Sequence, residues 1–241
     1  MASPEATETE QEHFFISLNH NKPITVILLH GLLDSHLEWS YLCERVAVLI
    51  RRYAHDGQAH VVGLSMGAFI TLRISRQHPE LVLSATVTAG HPMEGYWAWV
   101  VRYSSITYYA MWVLLELVPT WLYMLVAVKG RGMHRHEELL EEMRHNRRWE
   151  VIRAVDTGLL ELKWEDIRTL PVKTLAIAAE GIDDVEALRR MGREMPVEGS
   201  LAAVVRGAVH TWNLQKLKLF SDVIRAWIEQ SALLASLEIL T

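Results

Sequence analysis

Five short apolar runs, each followed by a helical pattern or a turn, restrict how this chain can fold more than any other feature. The runs cover residues 24–30, 60–64, 81–89, 172–179 and 200–206. Their nearly continuous hydrophobicity is typical of strands that helices cover on both faces of a parallel sheet. Helical patterns cover residues 38–53, 66–78, 185–194 and 214–230. The sequence therefore predicts an α/β fold with a mostly parallel sheet flanked by helices.

Residues 91–170 interrupt this alternation. They hold six of the nine tryptophans and no convincing strand, which predicts an inserted helical cap. The α/β core is then expected to comprise residues 14–90 and 171–241, with a first strand at 14–18. Residues 1–13 are acidic and lack the basic start and apolar run of a signal peptide, so we expect a disordered tail.

One part of this cap is unusually apolar. Residues 106–128 carry a single charge, Glu116, over a length that could cross a bilayer. Pro119 divides the segment, and proline is tolerated at a helix start but not inside a helix. We interpret the segment as two short amphipathic helices of a soluble protein, with a membrane-seated or interfacial segment as the alternative.

Composition limits the partners and cofactors of the chain. A formal net charge of −5 gives no reason to expect nucleic acid binding. The single cysteine, Cys43, excludes an internal disulfide and fits a reducing, cytoplasmic location. His134 and His136 are two residues apart and point to different sides, and no Cys-His metal spacing or phosphate-binding glycine loop occurs. We therefore expect neither a metal nor a cofactor, and the sequence does not indicate an oligomeric state.

A serine lies between two glycines directly after the second run. Residues Gly63 to Gly67 read GLSMG, which matches G-x-S-x-G between a strand and a helix. The glycines permit a sharp turn that holds Ser65 at a helix N-terminus, where developing negative charge is stabilised. Ser65 is therefore the candidate nucleophile, and a hydroxyl in an ordinary turn is the alternative.

A serine nucleophile needs a histidine base and a carboxylate that orients it. Asp183 follows the fourth run and His210 follows the fifth, so both lie at the carboxyl ends of strands, where loops of a parallel sheet converge. Asp183 could instead cap the following helix, because Glu186 stands at capping-box spacing, and Asp184 is the alternative acid. We assign Asp183 and His210 to catalysis.

Attack on a carbonyl also needs two donors for the oxyanion. The backbone N–H of Met66 follows the nucleophile, and that of Leu32 follows His30 and Gly31 after the first run. We assign Leu32 and Met66 to the oxyanion hole, and His30 and Gly31 to substrate binding.

These motifs, from about Phe14 onward, resemble the α/β-hydrolase superfamily, and in particular its small cap-bearing esterases and C–C bond hydrolases. The resemblance implies a Ser65–His210–Asp183 triad that forms an acyl-enzyme, which water then hydrolyses without a cofactor. The aromatic and aliphatic cap indicates a small or medium apolar ester, thioester or related carbonyl compound as substrate.

One interval departs from the family pattern. Only 35 positions separate His30 from Ser65, where family members usually have a further strand and helix. The loss is expected to leave the 24–30 strand with an altered partner or an exposed apolar edge. A non-catalytic, ligand-binding relative is the alternative to an active hydrolase.

Overall fold

The computed structural model describes residues 23–31, 39–135, 137–232 and 236–240. Six strands form one sheet in which the strands follow one another in chain order, β1 to β5 being parallel and β6 antiparallel to β5. The strands are β1 (Val26–Leu29), β2 (Ala59–Leu64), β3 (Val82–Thr88), β4 (Thr174–Ala179), β5 (Leu201–Val205) and β6 (Leu237–Ile239). The predicted α/β fold class is confirmed, while the predicted tail at 1–13 and strand at 14–18 lie outside the described residues.

Helices connect the strands and bury both faces of the sheet. They are α1 (Trp39–Tyr53), α2 (Met66–Gln77), α9 (Val185–Glu194), α10 (Trp212–Gln215) and α11 (Leu217–Ile228). Side chains of α2 and α9 pack on one face of the central strands, and those of α10 and α11 on the other. This two-sided cover explains why the strands read as continuous apolar runs.

The C-terminal part of the chain differs from the prediction in two respects. The single helix predicted over 214–230 is wrong, because the backbone at Lys216 is not helical (φ −126°, ψ 53°) and separates α10 from α11. The three-residue strand β6 was not predicted, since so short a run carries no recognisable period.

Strand β1 forms an edge of the sheet among the described strands. Among the described strands it pairs with β2 alone, and α1 provides the crossover between these two parallel strands. Ile24, Val26 and Leu28 are exposed, Leu28 at 65% of its surface. The apolar edge expected from the short interval between His30 and Ser65 is therefore present in the described part of the chain.

Helical segments fill the interval between β3 and β4, in the region predicted as a cap. They are α3 (Gly95–Arg102), α4 (Ser104–Trp112), α5 (Thr120–Met124), α6 (Glu137–Asn146), α7 (Trp149–Leu159) and α8 (Trp164–Arg168). Wider π-helical turns extend α4 to Leu117 and α5 to Gly130, with Pro119 directly before α5. We keep the name cap for residues 91–170.

The cap has a small core of its own and joins the sheet domain through α7 and, with Trp164 and Ile167, through α8. Leu115, Met124, Leu140 and Ile152 form the internal cluster. On α7, Val151 and Val155 instead join the cluster beneath α1 and α2. Helix α7 thus links the cap to the core.

Candidate active site

Ser65 occupies a strained turn between β2 and α2. Its backbone dihedrals are φ 55° and ψ −119°, a combination that residues with a side chain rarely adopt. Two backbone hydrogen bonds of 2.9 Å hold the turn, from Ser65 N to the Thr88 carbonyl and from Ala68 N to the Ser65 carbonyl. Such strain persists only where the surroundings fix it, and it sets the serine apart from one in an ordinary turn.

The two glycines of the motif are required by close backbone approach. A Cβ atom on Gly63 would lie 2.1 Å from the carbonyl oxygen of Gly67. A Cβ atom on Gly67 would lie 2.1 Å from the carbonyl oxygen of Leu29 and 2.7 Å from that of His30. The helix that begins after Ser65 therefore packs directly on the preceding strand and on the end of β1.

Backbone groups around Ser65 fit the predicted oxyanion hole in part. Met66 is the first residue of α2, so its N–H has no acceptor within the helix. The backbone of Gly31 lies against the serine, since a Cβ atom there would be 3.4 Å from Ser65 Cβ and 3.9 Å from Ser65 Oγ. Leu32, the second predicted donor, lies outside the described residues. The substrate-binding role of His30 and Gly31 stays a prediction.

Asp183 and His210 form a partly buried pair at the carboxyl ends of β4 and β5. His210 Nδ1 lies 2.7 Å from Asp183 Oδ1, and Asp183 Oδ2 accepts a 2.7 Å hydrogen bond from the backbone N–H of Ala179. The Asp183 side chain is only 2% exposed. These bonds hold the imidazole with Nδ1 toward the carboxylate, which leaves Nε2 for the reaction.

The neighbouring acid has a different task. Asp184 is the N-cap of α9, and its Oδ1 accepts a 2.9 Å hydrogen bond from Ala187 N. The helix N-cap role that the sequence suggested for Asp183 therefore belongs to Asp184. Of the two adjacent aspartates, Asp183 contacts the histidine and Asp184 caps the start of α9.

The acid loop and the histidine loop are joined by contacts that the sequence did not reveal. Gly181 N donates a 2.9 Å hydrogen bond to the Ala208 carbonyl, and a Cβ atom on Gly181 would lie 2.8 Å from that oxygen. The Gln215 side chain accepts from Val209 N at 2.8 Å and donates to the Gly207 carbonyl at 3.2 Å. Gln215 thus braces the segment that carries His210, a role no motif indicates.

The end of the cap also reaches this loop. His134 N donates a 2.8 Å hydrogen bond to the Leu214 carbonyl, and the Thr211 hydroxyl lies 3.9 Å from the Met133 sulfur. The cap therefore contacts the residue that follows His210. A substrate held between cap and sheet would meet the imidazole at this side.

The strand order brings Ser65 to the same sheet edge as the acid and the histidine. β2 is two strands from β4 and three from β5, which corresponds to roughly 10 and 14 Å between strand axes. A direct contact between Ser65 and His210 would require the loop after β5 to extend along this edge toward β2. Within the described ranges no hydrogen bond joins Ser65 Oγ to the imidazole. Catalytic hydrogen bonds are often longer in a free enzyme and shorten when substrate binds.

Cys43, the other side chain with nucleophile chemistry, is buried in α1. Burial raises the pKa of its thiol to about 12, so the reactive thiolate is nearly absent at neutral pH. His60 is half-buried beside the Ser84 hydroxyl at 2.8 Å, and burial lowers the pKa of its imidazole. Both residues belong to the packing of the core.

Sequence comparison finds one relevant curated protein. No family model matches the chain. An "AB hydrolase superfamily protein" of Gibberella zeae is 27% identical over 190 residues, which are 76% of this chain. The chain spans 61% of the length of that protein.

Solved structures match over most of the chain at low sequence identity. MenH from S. aureus superposes with a TM-score of 0.61 at 14% identity, covering 87% of this chain and 95% of its own. MGS-M2, an α/β-hydrolase enzyme from a Medee basin deep-sea metagenome library, gives 0.66 at 13% identity, covering 91% and 94%. A carboxylesterase of the Thaumarchaeon Nitrososphaera gargenis gives 0.64 at 14% identity, covering 88% and 92%. The sheet order and these structural similarities show that the chain has the fold of the α/β-hydrolases.

Proposed function

We propose that the protein is a serine hydrolase that cleaves small or medium apolar esters, thioesters or related carbonyl compounds. The observation that carries this proposal is the partly buried Asp183–His210 hydrogen bond at the sheet edge where Ser65 occupies a strained turn. A non-glycine residue at φ 55° and ψ −119° is strained, and strain of this kind is concentrated at functional sites.

The proposed reaction begins with attack of Ser65 Oγ on the acyl carbon, while His210 Nε2 takes the hydroxyl proton. Asp183 orients the imidazole and stabilises its positive charge. The N–H groups of Met66 and Leu32 stabilise the oxyanion, and the protonated imidazole then gives its proton to the leaving group. Water activated by the same histidine hydrolyses the acyl-enzyme and restores Ser65. No cofactor enters either half of the reaction.

Structural neighbours support this reaction class. The structural neighbours include a carboxylesterase from Nitrososphaera gargenis, an E-2-(acetamidomethylene)succinate hydrolase and a serine hydrolase involved in carbazole degradation. These neighbours act in different reactions, so they favour hydrolysis as the reaction class and do not identify the substrate of this protein. The aromatic and aliphatic composition of the cap supports an apolar acyl group.

A chain-length series of p-nitrophenyl esters tests the proposal. The wild-type protein should release a burst of nitrophenol as the acyl-enzyme forms. Ser65→Ala and His210→Ala should each lose activity by about 10³-fold or more. Ser221→Ala, on the exposed side of α11, is the matched control and should retain full activity. Equal turnover by all four proteins, or a folded wild type with neither burst nor turnover, would favour a non-catalytic, ligand-binding relative.

A further inference from the structure

An exposed apolar surface covers the outer side of the cap. More than half of the exposed large apolar side chains in the described ranges lie between residues 96 and 126. We call this the apolar cap surface; it includes Trp99, Tyr109, Leu114, Leu117, Trp121 and Val126. Soluble monomers rarely expose apolar patches of this extent, and those that do use them for binding.

The backbone shapes this surface into a corner. The segments Ser104–Leu117 and Thr120–Gly130 meet at 101°, with Pro119 in the break. Leu117 and Trp121 flank the break and are 58% and 68% exposed. No single helix in the described ranges is long and apolar enough to cross a membrane, whereas this bent pair passes the same test of length and composition as a unit.

Hydrogen bonds from α6 hold the two arms of the corner together. Arg144 of α6 donates to the Leu115 carbonyl at 2.7 Å and to the Thr120 hydroxyl at 2.9 Å, so it joins both arms of the bend. Leu115 and Met124 point into the cap core on the inner side. Leu117 and Trp121 are therefore exposed on an ordered element with its own buried face.

The charges around the corner are mostly positive. Between residues 95 and 135 the only carboxylate is Glu116, and it is paired with Arg147 at 3.1 Å. The same stretch contains the cations Arg102, Lys129 and Arg131, in a chain whose net charge is −5, while its fourth cation, Arg135, is paired with Glu137 at 2.6 Å. Anionic headgroups attract such cations, while tryptophan and tyrosine prefer the boundary between headgroups and acyl chains.

We propose that the apolar cap surface seats the protein on the surface of a bilayer that contains anionic phospholipid. Leu117 and Trp121 enter the boundary between headgroups and acyl chains, and the cations of residues 95–135 contact the headgroups. The attachment is peripheral, because neither arm of the bend is by itself long enough to cross a bilayer. Attachment does not depend on esterase activity.

Cosedimentation with vesicles of phosphatidylcholine and phosphatidylglycerol in equal parts tests this proposal on the full chain. The double variant Leu117→Glu/Trp121→Glu places carboxylates at the corner and should lower the partition coefficient by about tenfold or more. Leu83→Glu is the matched control: Leu83 is 47% exposed but lies near the start of β3, whereas the cap leaves the carboxyl end of that strand. The control should bind as the wild type does, and high salt should weaken binding by both.

Circular dichroism establishes that each variant is folded, and Trp121→Gln alone provides a milder change if the double variant is not. The proposal is overturned if the wild type stays in the supernatant with these vesicles. It is also overturned if folded corner variants sediment as well as Leu83→Glu does. Self-association that the corner variants abolish, without vesicle binding by the wild type, would show that a second copy covers the surface instead.

Discussion

Replacing Asp183 with asparagine should disable the histidine without disturbing the fold. The Ala179 N–H donates to Asp183 Oδ2 from a fixed strand end, so the amide oxygen of an asparagine must take that place. The amide NH₂ group then faces His210 Nδ1, which lies 2.7 Å from Asp183 Oδ1 in the wild type. Since that nitrogen must now accept, the imidazole carries its proton on Nε2 and cannot take one from Ser65.

The magnitude follows from the tautomer. In serine proteases the equivalent change lowers kcat by about 10⁴-fold, which corresponds to ~5 kcal/mol of barrier. Asp184→Asn is a matched control one residue away, because asparagine and aspartate cap helices about equally well. We expect that control to keep its activity and its free energy of unfolding within a few tenths of a kcal/mol.

Steady-state hydrolysis of a p-nitrophenyl ester and urea denaturation measure both effects. Two results would refute the tautomer argument. One is an Asp183→Asn protein that stays within about tenfold of the wild-type kcat. The other is a folded Asp184→Asn protein that loses as much activity as Asp183→Asn does.

Three further changes test the packing around the site. Gly67→Ala places a methyl group 2.1 Å from the Leu29 carbonyl and should lower the free energy of unfolding by about 3 kcal/mol or more in urea titrations, whereas Gly130→Ala, with 3.9 Å to its nearest neighbour, should not. Gln215→Ala removes the brace of the histidine loop and should lower kcat by about 10- to 100-fold with little loss of stability; an unchanged kcat would contradict the bracing role. Burial raises the pKa of Asp156 from 3.8 to about 6, partly offset by Thr107 and Ser104. Because the folded pKa exceeds the unfolded one, the free energy of unfolding should fall by up to ~3 kcal/mol as pH rises from about 4 to 6. Asp156→Asn should abolish this dependence of the free energy of unfolding on pH. If the dependence persists in the variant, a group other than Asp156 causes it.

The helices and strands that were predicted well from the sequence are those whose buried apolar residues recur at a regular interval. Helix α9 begins at Val185 and ends at Glu194, as predicted, because its apolar residues recur at helical spacing after an aspartate cap. The strands were located within about two residues, since boundaries depend on hydrogen bonds that the pattern does not encode. The break at Lys216 and the strand β6 were not predicted, because each spans too few residues to show a periodic pattern of apolar residues.

The candidate site divides in the same way. The motif around Ser65 was readable because close backbone contacts dictate glycine at positions 63 and 67. The choice between Asp183 and Asp184 was not, since both fit the loop and only the strand end at Ala179 decides which carboxylate turns inward. The bracing by Gln215 joins residues six and eight positions apart through a loop, a geometry with no sequence signature.

Covalent labelling with a fluorophosphonate, followed by mass spectrometry of the digested protein, tests the role of Ser65 most directly. The expected result is one adduct per folded chain on Ser65, absent in Ser65→Ala and formed much more slowly in His210→Ala. A folded protein that takes up no label, or takes it up at another residue, would contradict the proposed hydrolase.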